Sequence, residues 1–277
     1  MSNSVLTNSS AAVALQNLTT TNSRLNDVQG RISTGLKVGG AKDNAAVWAI
    51  AQGQRADLGA LDSVRSSLDR ATSIADVALS AGESISDLLN QLKEKVVAAK
   101  DTSLKTQSRQ LLDGDFKALL RAIKSAIENA AFDGGNILNG SLTNGLKFLA
   151  NADANSFVTL TSKNLSLSGA ILTLGLADSL LTLTGAATAL NKLDASITNV
   201  NAALGAIGAQ AKQIEAHNVF VSKLSDTLTS GIGHLVDADL AKESARLQAL
   251  QVQQQLGAQS LSIANQSPQI ILSLFKG

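Results

Sequence analysis

The side chains most able to do chemistry in this 277-residue chain are two isolated histidines and one cluster of carboxylates. His217 and His234 lack the two-histidine helical spacing with an intervening glutamate that holds a catalytic zinc, and His217 is expected to have a structural or surface role. The pair Gly39–Gly40 lacks the glycine spacing and the following lysine that bind phosphate. The chain contains no cysteine, which excludes thiol catalysis, disulfides and zinc–cysteine clusters. No enzyme class therefore gains support, and no cofactor is expected.

The carboxylates Asp237, Asp239 and Glu243 lie close enough in sequence to suggest a cation site. They also stand where a helix should begin, and acidic side chains there complement the helix dipole. Glu243 with Arg246 would form an i,i+3 ion pair on the same helix. Capping is therefore favoured over metal binding, and no metal ligand is assigned.

Charge is missing from both ends of the chain, from Met1 to Ser23 and from Leu247 to Phe275. Both stretches nevertheless carry apolar residues at helical spacing, with Asn, Gln, Ser and Thr on the other face. Uncharged polar groups cost less to desolvate than charged ones, so both helices are expected to be covered, chiefly by other copies. The residues assigned to this assembly role are Leu15, Leu18, Leu25, Val28, Ile32, Leu240, Leu247, Leu250, Leu261 and Ile271.

Helical periodicity accounts for most of the chain. It predicts helices over residues 7–34, 45–99 and 104–131, with Asp43 as the N-cap of the second. A seam of alternating three- and four-residue spacing runs from Leu193 to Leu235 and includes Asn218 as a polar position. A polar seam residue either fixes the register of the helices or is simply tolerated there, and the sequence leaves both open.

The stretch 133–185 has a different texture, with turn-forming Gly and Asn and short runs of alternating apolar residues. It predicts one to three β-hairpins, drawing on residues Val158, Leu160, Leu165, Leu167, Leu172, Leu174 and Leu176. The fold class is therefore mainly α, an elongated antiparallel helical bundle and coiled coil built from both chain ends, with a small β-hairpin region at the midpoint. The predicted domains are a terminal coiled coil (1–42 and 235–277), a helical bundle (43–134 and 186–234) and a β-rich insert (135–185).

The composition limits the partners. Net charge is +1 and aromatic residues are 3% of the chain, so nothing favours nucleic acid. The glutamines of residues 251–259 interrupt the apolar C-terminal stretch, so no membrane insertion is expected. No basic region followed by an apolar run begins the chain, so no secretory signal peptide is expected.

Four segments resemble the bacterial flagellins. They are Arg31–Ala46 (RISTGLKVGGAKDNAA), residues 131–138 (AFDGGNIL), residues 237–243 (DADLAKE) and residues 258–274 (AQSLSIANQSPQIILSL). They occur in the family's order and in the expected helical contexts. One departure is Asn44, which stands where an Asp is common.

This resemblance implies a structural subunit that polymerises into the extracellular flagellar filament through its terminal helices. It implies self-association, export in the unfolded state by the flagellar type III apparatus with an export chaperone, and contact with hook-associated junction and cap proteins. The family also carries O-linked sugars, for which the candidates on the insert are Ser156, Thr159, Thr161, Ser162, Ser166 and Ser168; each of them is equally well explained as an ordinary strand or turn residue. A hook–filament junction protein is the nearest alternative, because that family shares the terminal helices.

Overall fold

The computed structural model describes the backbone of residues 7–274 and the side chains of residues 7–266. The described elements are α1 (Ser9–Thr34), α2 (Ala45–Ala99), α3 (Thr106–Asn129), β1 (Leu146–Leu149), β2 (Phe157–Leu160), α4 (Leu183–Val236) and α5 (Leu240–Leu274). The predicted fold class, mainly α with a small antiparallel β element, is confirmed. The chain divides into unit 1 (Met1–Ala56 with Thr227–Gly277) and unit 2 (Asp57–Asp226), and α2 and α4 contribute residues to both.

In unit 2, α2 and α4 pack antiparallel along the seams that the sequence predicts. Two polar contacts mark the opposite directions of the helices. Lys93 pairs with Asp194 at 2.8 Å, and Asn218 Nδ2 donates to Asp69 Oδ1 at 2.6 Å. Buried residues of the two seams include Leu61, Leu68, Ile85, Leu89, Leu92, Leu193, Val200, Ile207, Ile214 and Val221. The polar seam residue Asn218 therefore bonds across the helix pair and favours one register.

Helix α3 covers this pair and buries Phe116, Leu120 and Ile123 completely. Two charged residues of α3 are buried as well, because backbone groups satisfy them. The guanidinium of Arg109 donates to the carbonyls of Ala99 and Asp101 in the α2–α3 turn.

Asp113 fixes the chain that leads into α4. Its carboxylate accepts hydrogen bonds from Leu180 N at 2.7 Å and Ser179 Oγ at 3.0 Å, and Lys117 Nζ lies 2.9 Å away. Burial raises the pKa of Asp113, but the donors from Lys117, Leu180 and Ser179 together outweigh burial and hold it below its ordinary value.

The two strands form one antiparallel hairpin in which Leu146 faces Leu160 and Leu149 faces Phe157. Both long helices of unit 2 hold it in place. Leu149 N donates to Ser67 Oγ of α2 at 3.2 Å, and His217 Nε2 of α4 lies 2.8 Å from the carbonyl oxygen of Ala150. A carbonyl only accepts, so Nε2 carries the proton in this contact. The expected structural role of His217 thus has a specific partner.

The rest of the predicted β region is irregular, and one hairpin is described within residues 133–185 rather than two or three. Leu165, Leu172 and Leu174 are fully buried, so their alternation reflects a packed loop. The backbone amides of this loop donate hydrogen bonds to groups outside the β-sheet. Lys163 N donates to Ile137 O at 2.7 Å, and Thr173 N donates to Ser196 Oγ of α4 at 3.1 Å.

Candidate functional site

The paired chain ends form the candidate functional site of unit 1. Helix α1 packs against α5 around a small core of Leu25, Val28 and Leu250, which are 8%, 3% and 6% exposed. Ile32 and Leu247 pack at its edge. The expectation that the two ends meet is thus met, although 200 residues or more separate them in sequence.

Polar side chains extend this pairing along both helices. Gln254 Nε2 donates to Asn22 Oδ1 at 2.8 Å, and Asn8 Nδ2 donates to the carbonyl of Ala264 at 2.7 Å. Asn8 also caps α1, because its Oδ1 accepts from Ala11 N at 3.0 Å. Neutral amides here supply directional contacts where a coiled coil usually places charges.

One ion pair closes the other end of the helix pair. The guanidinium of Arg31 lies 3.5 Å from Glu243, and Glu243 is 8% exposed. The sequence interpretation that paired Glu243 with Arg246 was therefore wrong. The partner comes from α1, because the side of α5 that carries Glu243 faces that helix.

Backbone hydrogen bonds join the segment that follows α1 to the segment between α4 and α5. Gly35 ends α1 in the left-handed conformation (φ 73°), and its carbonyl accepts from Ala238 N at 2.9 Å. Lys37 N donates to Val236 O at 2.6 Å. These bonds tie the end of α1 to the segment where α4 gives way to α5, so both terminal helices leave a common anchor.

The caps of this region correct one prediction and support another. Asn44 caps α2, because its Oδ1 accepts from Val47 N at 3.1 Å. Asp43, the expected cap, instead accepts from the backbone of Gly39 and stabilises the preceding loop. Asp239 Oδ1 accepts from two amides of the first turn of α5 at 3.1 Å, so the carboxylate cluster does contain a helix cap. No group of three or more potential metal ligands occurs among the residues that the structure describes.

The assembly residues proposed from the sequence occupy two different environments. Leu25, Val28, Ile32, Leu247 and Leu250 lie in the α1–α5 core or at its edge. Leu18 and Leu261 are half-buried, whereas Leu15 is 55% and Leu240 50% exposed. The side chain of Ile271 lies outside the described residues. Leu15 therefore does not share the stripe of Leu25 and Val28, from which it is rotated around the helix.

Further exposed apolar residues accompany Leu15 on the terminal helices, and sequence reasoning missed them. Val13 of α1 is 58% exposed, and Val252, Leu256 and Ile263 of α5 are 55–63% exposed. The sequence signal for each is an apolar residue that lies in a stretch without charge but outside the main apolar stripe of its helix. On α5, Val252, Leu256 and Ile263 share one face, whereas Val13 and Leu15 lie on different sides of α1. All five are exposed in the described part of this chain.

Comparison with known proteins identifies the family of this chain. The model of the bacterial flagellin N-terminal helical region matches residues 5–143, and the model of the C-terminal helical region matches residues 190–275. The chain belongs to the bacterial flagellin family. Flagellins are structural proteins, not enzymes, that polymerise into the extracellular flagellar filament, and this flagellin is a filament subunit.

Whole-length relatives support the same assignment. Flagellin FljJ of Caulobacter vibrioides is 54% identical over 280 residues, covering 100% of both chains. A flagellin of Brucella melitensis is 40% identical over 283 residues, covering 99% of both. Among solved structures, a Vibrio parahaemolyticus protein described as flagellar hook-associated has a TM-score of 0.58 at 14% identity, over 70% of this flagellin and 100% of that chain. That likeness concerns the fold alone.

The structure also separates the six hydroxyl residues proposed to carry sugars. Ser156, Thr159 and Ser168 are exposed. The other three hydroxyls are half-buried and hydrogen-bonded: Thr161 with Gln210, Ser162 with the Ile137 carbonyl and Ser166 with the Asn139 carbonyl.

Among the described elements, no helix is long and apolar enough to cross a membrane.

Proposed function

We propose that the α1–α5 pair is the polymerising element of this flagellin, with separate residues for pairing and for assembly. Leu25, Val28, Ile32, Leu247 and Leu250 hold the two helices together, and Leu18 and Leu261 extend that role. Ile271 keeps the assembly role expected from the sequence. Leu15 and Leu240, with Val13, Val252, Leu256 and Ile263, contact other copies. The observation that carries this proposal is the exposure of six large apolar side chains on two helices that lack charge over most of their length.

The polar face of α1 also favours burial in a polymer. The hydroxyls of Thr19, Thr20 and Thr21 each donate to the carbonyl four residues earlier, at 2.9 Å. A hydroxyl that is already bonded within its own helix needs no new partner when water is removed. Covering these residues with another subunit therefore leaves their three donors satisfied.

The same proposal extends to domains and partners. Residues 1–42 with 235–277 form the terminal coiled-coil domain, 43–134 with 186–234 the helical bundle, and 135–185 the small insert.

The subunit passes unfolded through the flagellar export apparatus, aided by an export chaperone, and meets hook-associated junction and cap proteins at the ends of the filament. Family membership supports these partners, and the absence of cysteine suits an unfolded route because no cross-link can form.

Glycosylation is proposed at the exposed hydroxyls Ser156, Thr159 and Ser168 rather than at Thr161, Ser162 or Ser166. A glycosyl donor reaches an exposed hydroxyl without first breaking a structural hydrogen bond. Intact-mass measurement of native filaments, followed by peptide mapping, tests this. A native mass equal to that of the bare chain contradicts it.

The test of the assembly role compares two leucines on α5. Leu256→Ala removes an exposed side chain, so the free energy of unfolding of the isolated subunit should change by no more than about 0.5 kcal/mol. If neighbours cover Leu256, the same change costs about 1–2 kcal/mol per subunit in the filament and raises the critical concentration roughly tenfold. Leu250→Ala should instead destabilise the α1–α5 pair of the isolated subunit.

The control is Leu111→Ala, the same change at a residue of α3 in unit 2 that is 71% exposed. Critical concentration is measured by seeded elongation, and subunit stability by chemical denaturation. A Leu256→Ala subunit that elongates seeds at the unmodified critical concentration contradicts the proposal. Deletion of residues 1–30 or 240–277 is expected to leave a helical protein that does not polymerise.

A further inference from the structure

The segment between α3 and β1 contains two Asn-Gly pairs, Asn139–Gly140 and Asn144–Gly145. An asparagine followed by glycine can react slowly with its own backbone, because the two reacting groups are held close together by the chain. The amide nitrogen of the glycine attacks the side-chain carbon Cγ, and the new bond closes a five-membered ring. The Cγ–Nδ2 bond breaks, and Nδ2 leaves as ammonia with the amide proton of the glycine. Water then opens the ring at either carbonyl carbon, which gives aspartate or isoaspartate.

The structure shields the first pair. Asn139 Oδ1 accepts hydrogen bonds from Ser141 N at 2.9 Å and from Ser141 Oγ at 2.6 Å, and the carbonyl of Asn139 accepts one from Ser166 Oγ at 3.0 Å. Asn164 covers the following residue, since a Cβ added to Gly140 would lie 2.5 Å from Asn164 Nδ2. Both residues of the pair are half-buried. The side chain of Asn139 must therefore lose two hydrogen bonds before its Cγ is free to turn towards the glycine nitrogen.

The second pair has no such protection. Asn144 is exposed, and no hydrogen bond or ion pair holds its side chain within the part of the chain that the structure describes. Gly145 takes φ 69°, and an added Cβ would lie 2.4 Å from the carbonyl oxygen of Leu160. The start of the hairpin therefore requires glycine at this position. The same lack of a Cβ leaves the backbone nitrogen of Gly145 open to the neighbouring side chain.

The two aspartates that precede glycine are held as well. Asp113, which precedes Gly114, is buried within α3. Asp133, which precedes Gly134, lies 3.3 Å from the guanidinium of Arg70. Ring closure at an aspartate requires the protonated carboxyl group, and a neighbouring cation favours the ionised form. Of the four Asn-Gly and Asp-Gly pairs in the sequence, the structure leaves one asparagine both exposed and unbonded.

We propose that Asn144 is a site of spontaneous deamidation in the folded subunit and that it converts about tenfold or more faster than Asn139. This inference is independent of the proposed assembly role of α1 and α5. Each conversion removes one unit from the formal net charge of +1, so the converted subunit is formally neutral. The isoaspartate product also adds a carbon atom to the main chain directly before Gly145. Because the ammonia is lost to solvent, the converted fraction rises with the age of the subunit.

The test incubates the unmodified chain as folded subunits at mildly alkaline pH, which favours deprotonation of the attacking amide. Samples taken over time are digested, and mass spectrometry with peptide fragmentation assigns the exchange of nitrogen for oxygen to residue 139 or residue 144. Conversion is expected first at Asn144, at a rate about tenfold or more above that at Asn139. Equal rates at the two residues, or no conversion at Asn144, overturn the inference.

A parallel incubation in denaturant separates the effect of the fold from that of the local sequence. Both asparagines then lose their structural environment while each still precedes a glycine, so their rates should agree within about threefold. A tenfold difference that persists in denaturant contradicts the inference, because the fold is then not its cause.

The matched variant is Asn144→Gln, which keeps an exposed primary amide but would close a larger and less favourable ring. Isoelectric focusing of the incubated unmodified subunit should show a growing acidic form, because a neutral amide becomes a carboxylate. In Asn144→Gln this acidic form should grow about tenfold more slowly, at the rate set by Asn139. An acidic form that grows equally fast in the variant refutes the assignment to Asn144.

Discussion

Gly82 offers the sharpest test of how α2 and α4 pack. It is buried in the interior of α2, and an added Cβ would lie 2.1 Å from Leu204 Cδ2 and 3.2 Å from Leu204 Cγ. Carbon atoms that do not share a bond attract best at about 3.5–4.0 Å. Gly82→Ala therefore forces the Leu204 side chain to move by more than about 1 Å within the seam between the two helices.

Two opposing effects set the size of the change. Alanine is a better helix former than glycine by about 1 kcal/mol, which favours the variant. Overpacking typically costs about 1–3 kcal/mol, which opposes it. Gly59→Ala is the matched control, since Gly59 is an exposed position of the same helix with no atom within 4 Å of an added Cβ. Gly82→Ala should thus be less stable than Gly59→Ala by about 1–3 kcal/mol.

Chemical denaturation of isolated subunits, followed by circular dichroism, measures this difference. A double-mutant cycle with Leu204→Ala identifies its cause, because removing the side chain removes the clash. The destabilisation caused by Gly82→Ala should then largely disappear, giving a coupling energy of about 1 kcal/mol or more. If Gly82→Ala stabilises the subunit as much as Gly59→Ala, or if the two changes are additive, the packing argument is refuted.

Two further predictions concern the buried charges of α3. The folded-state pKa of Asp113 lies below its unfolded value, so its stabilising effect is present above about pH 4 and is lost as pH falls through the folded pKa. Asp113→Asn should weaken this acid dependence in denaturation midpoints measured from pH 2 to 6, whereas an unchanged profile contradicts it. Arg109→Lys keeps the charge but cannot reach both turn carbonyls, so thermal unfolding should report a loss of about 1–3 kcal/mol.

The helices and most of the buried seam could be predicted because burial repeats at every turn. Val200, Ile207, Ile214 and Val221 follow the alternating spacing and are all buried. The periodicity is informative here because α2 and α4 are long and each packs continuously against a partner. The structure likewise confirms the predicted helix α1, which ends at Thr34 and is followed by the left-handed Gly35.

Short-range alternation was less reliable in the region between the helical halves. Leu172 and Leu174 alternate like strand residues, yet they are buried residues of an irregular loop that is hydrogen-bonded to α4. The amide of Thr173 in this loop donates to Ser196, which is distant in sequence. A local sequence pattern does not predict such a partner. The structure places Leu15 outside the packed core of Leu25 and Val28, and its assembly role stays a prediction.

The order in which parts of the chain fold depends on how far apart contacting residues lie in the sequence. This separation is small in the hairpin and very large between the chain ends. Leu146 and Leu160 pair across 14 positions, whereas the bond from Asn8 to Ala264 spans 256. Closing the larger loop directly costs about 2.5 kcal/mol more in chain entropy. The pairing of α1 with α5 is therefore a late event, which becomes favourable once the residues between them have folded and shortened the loop.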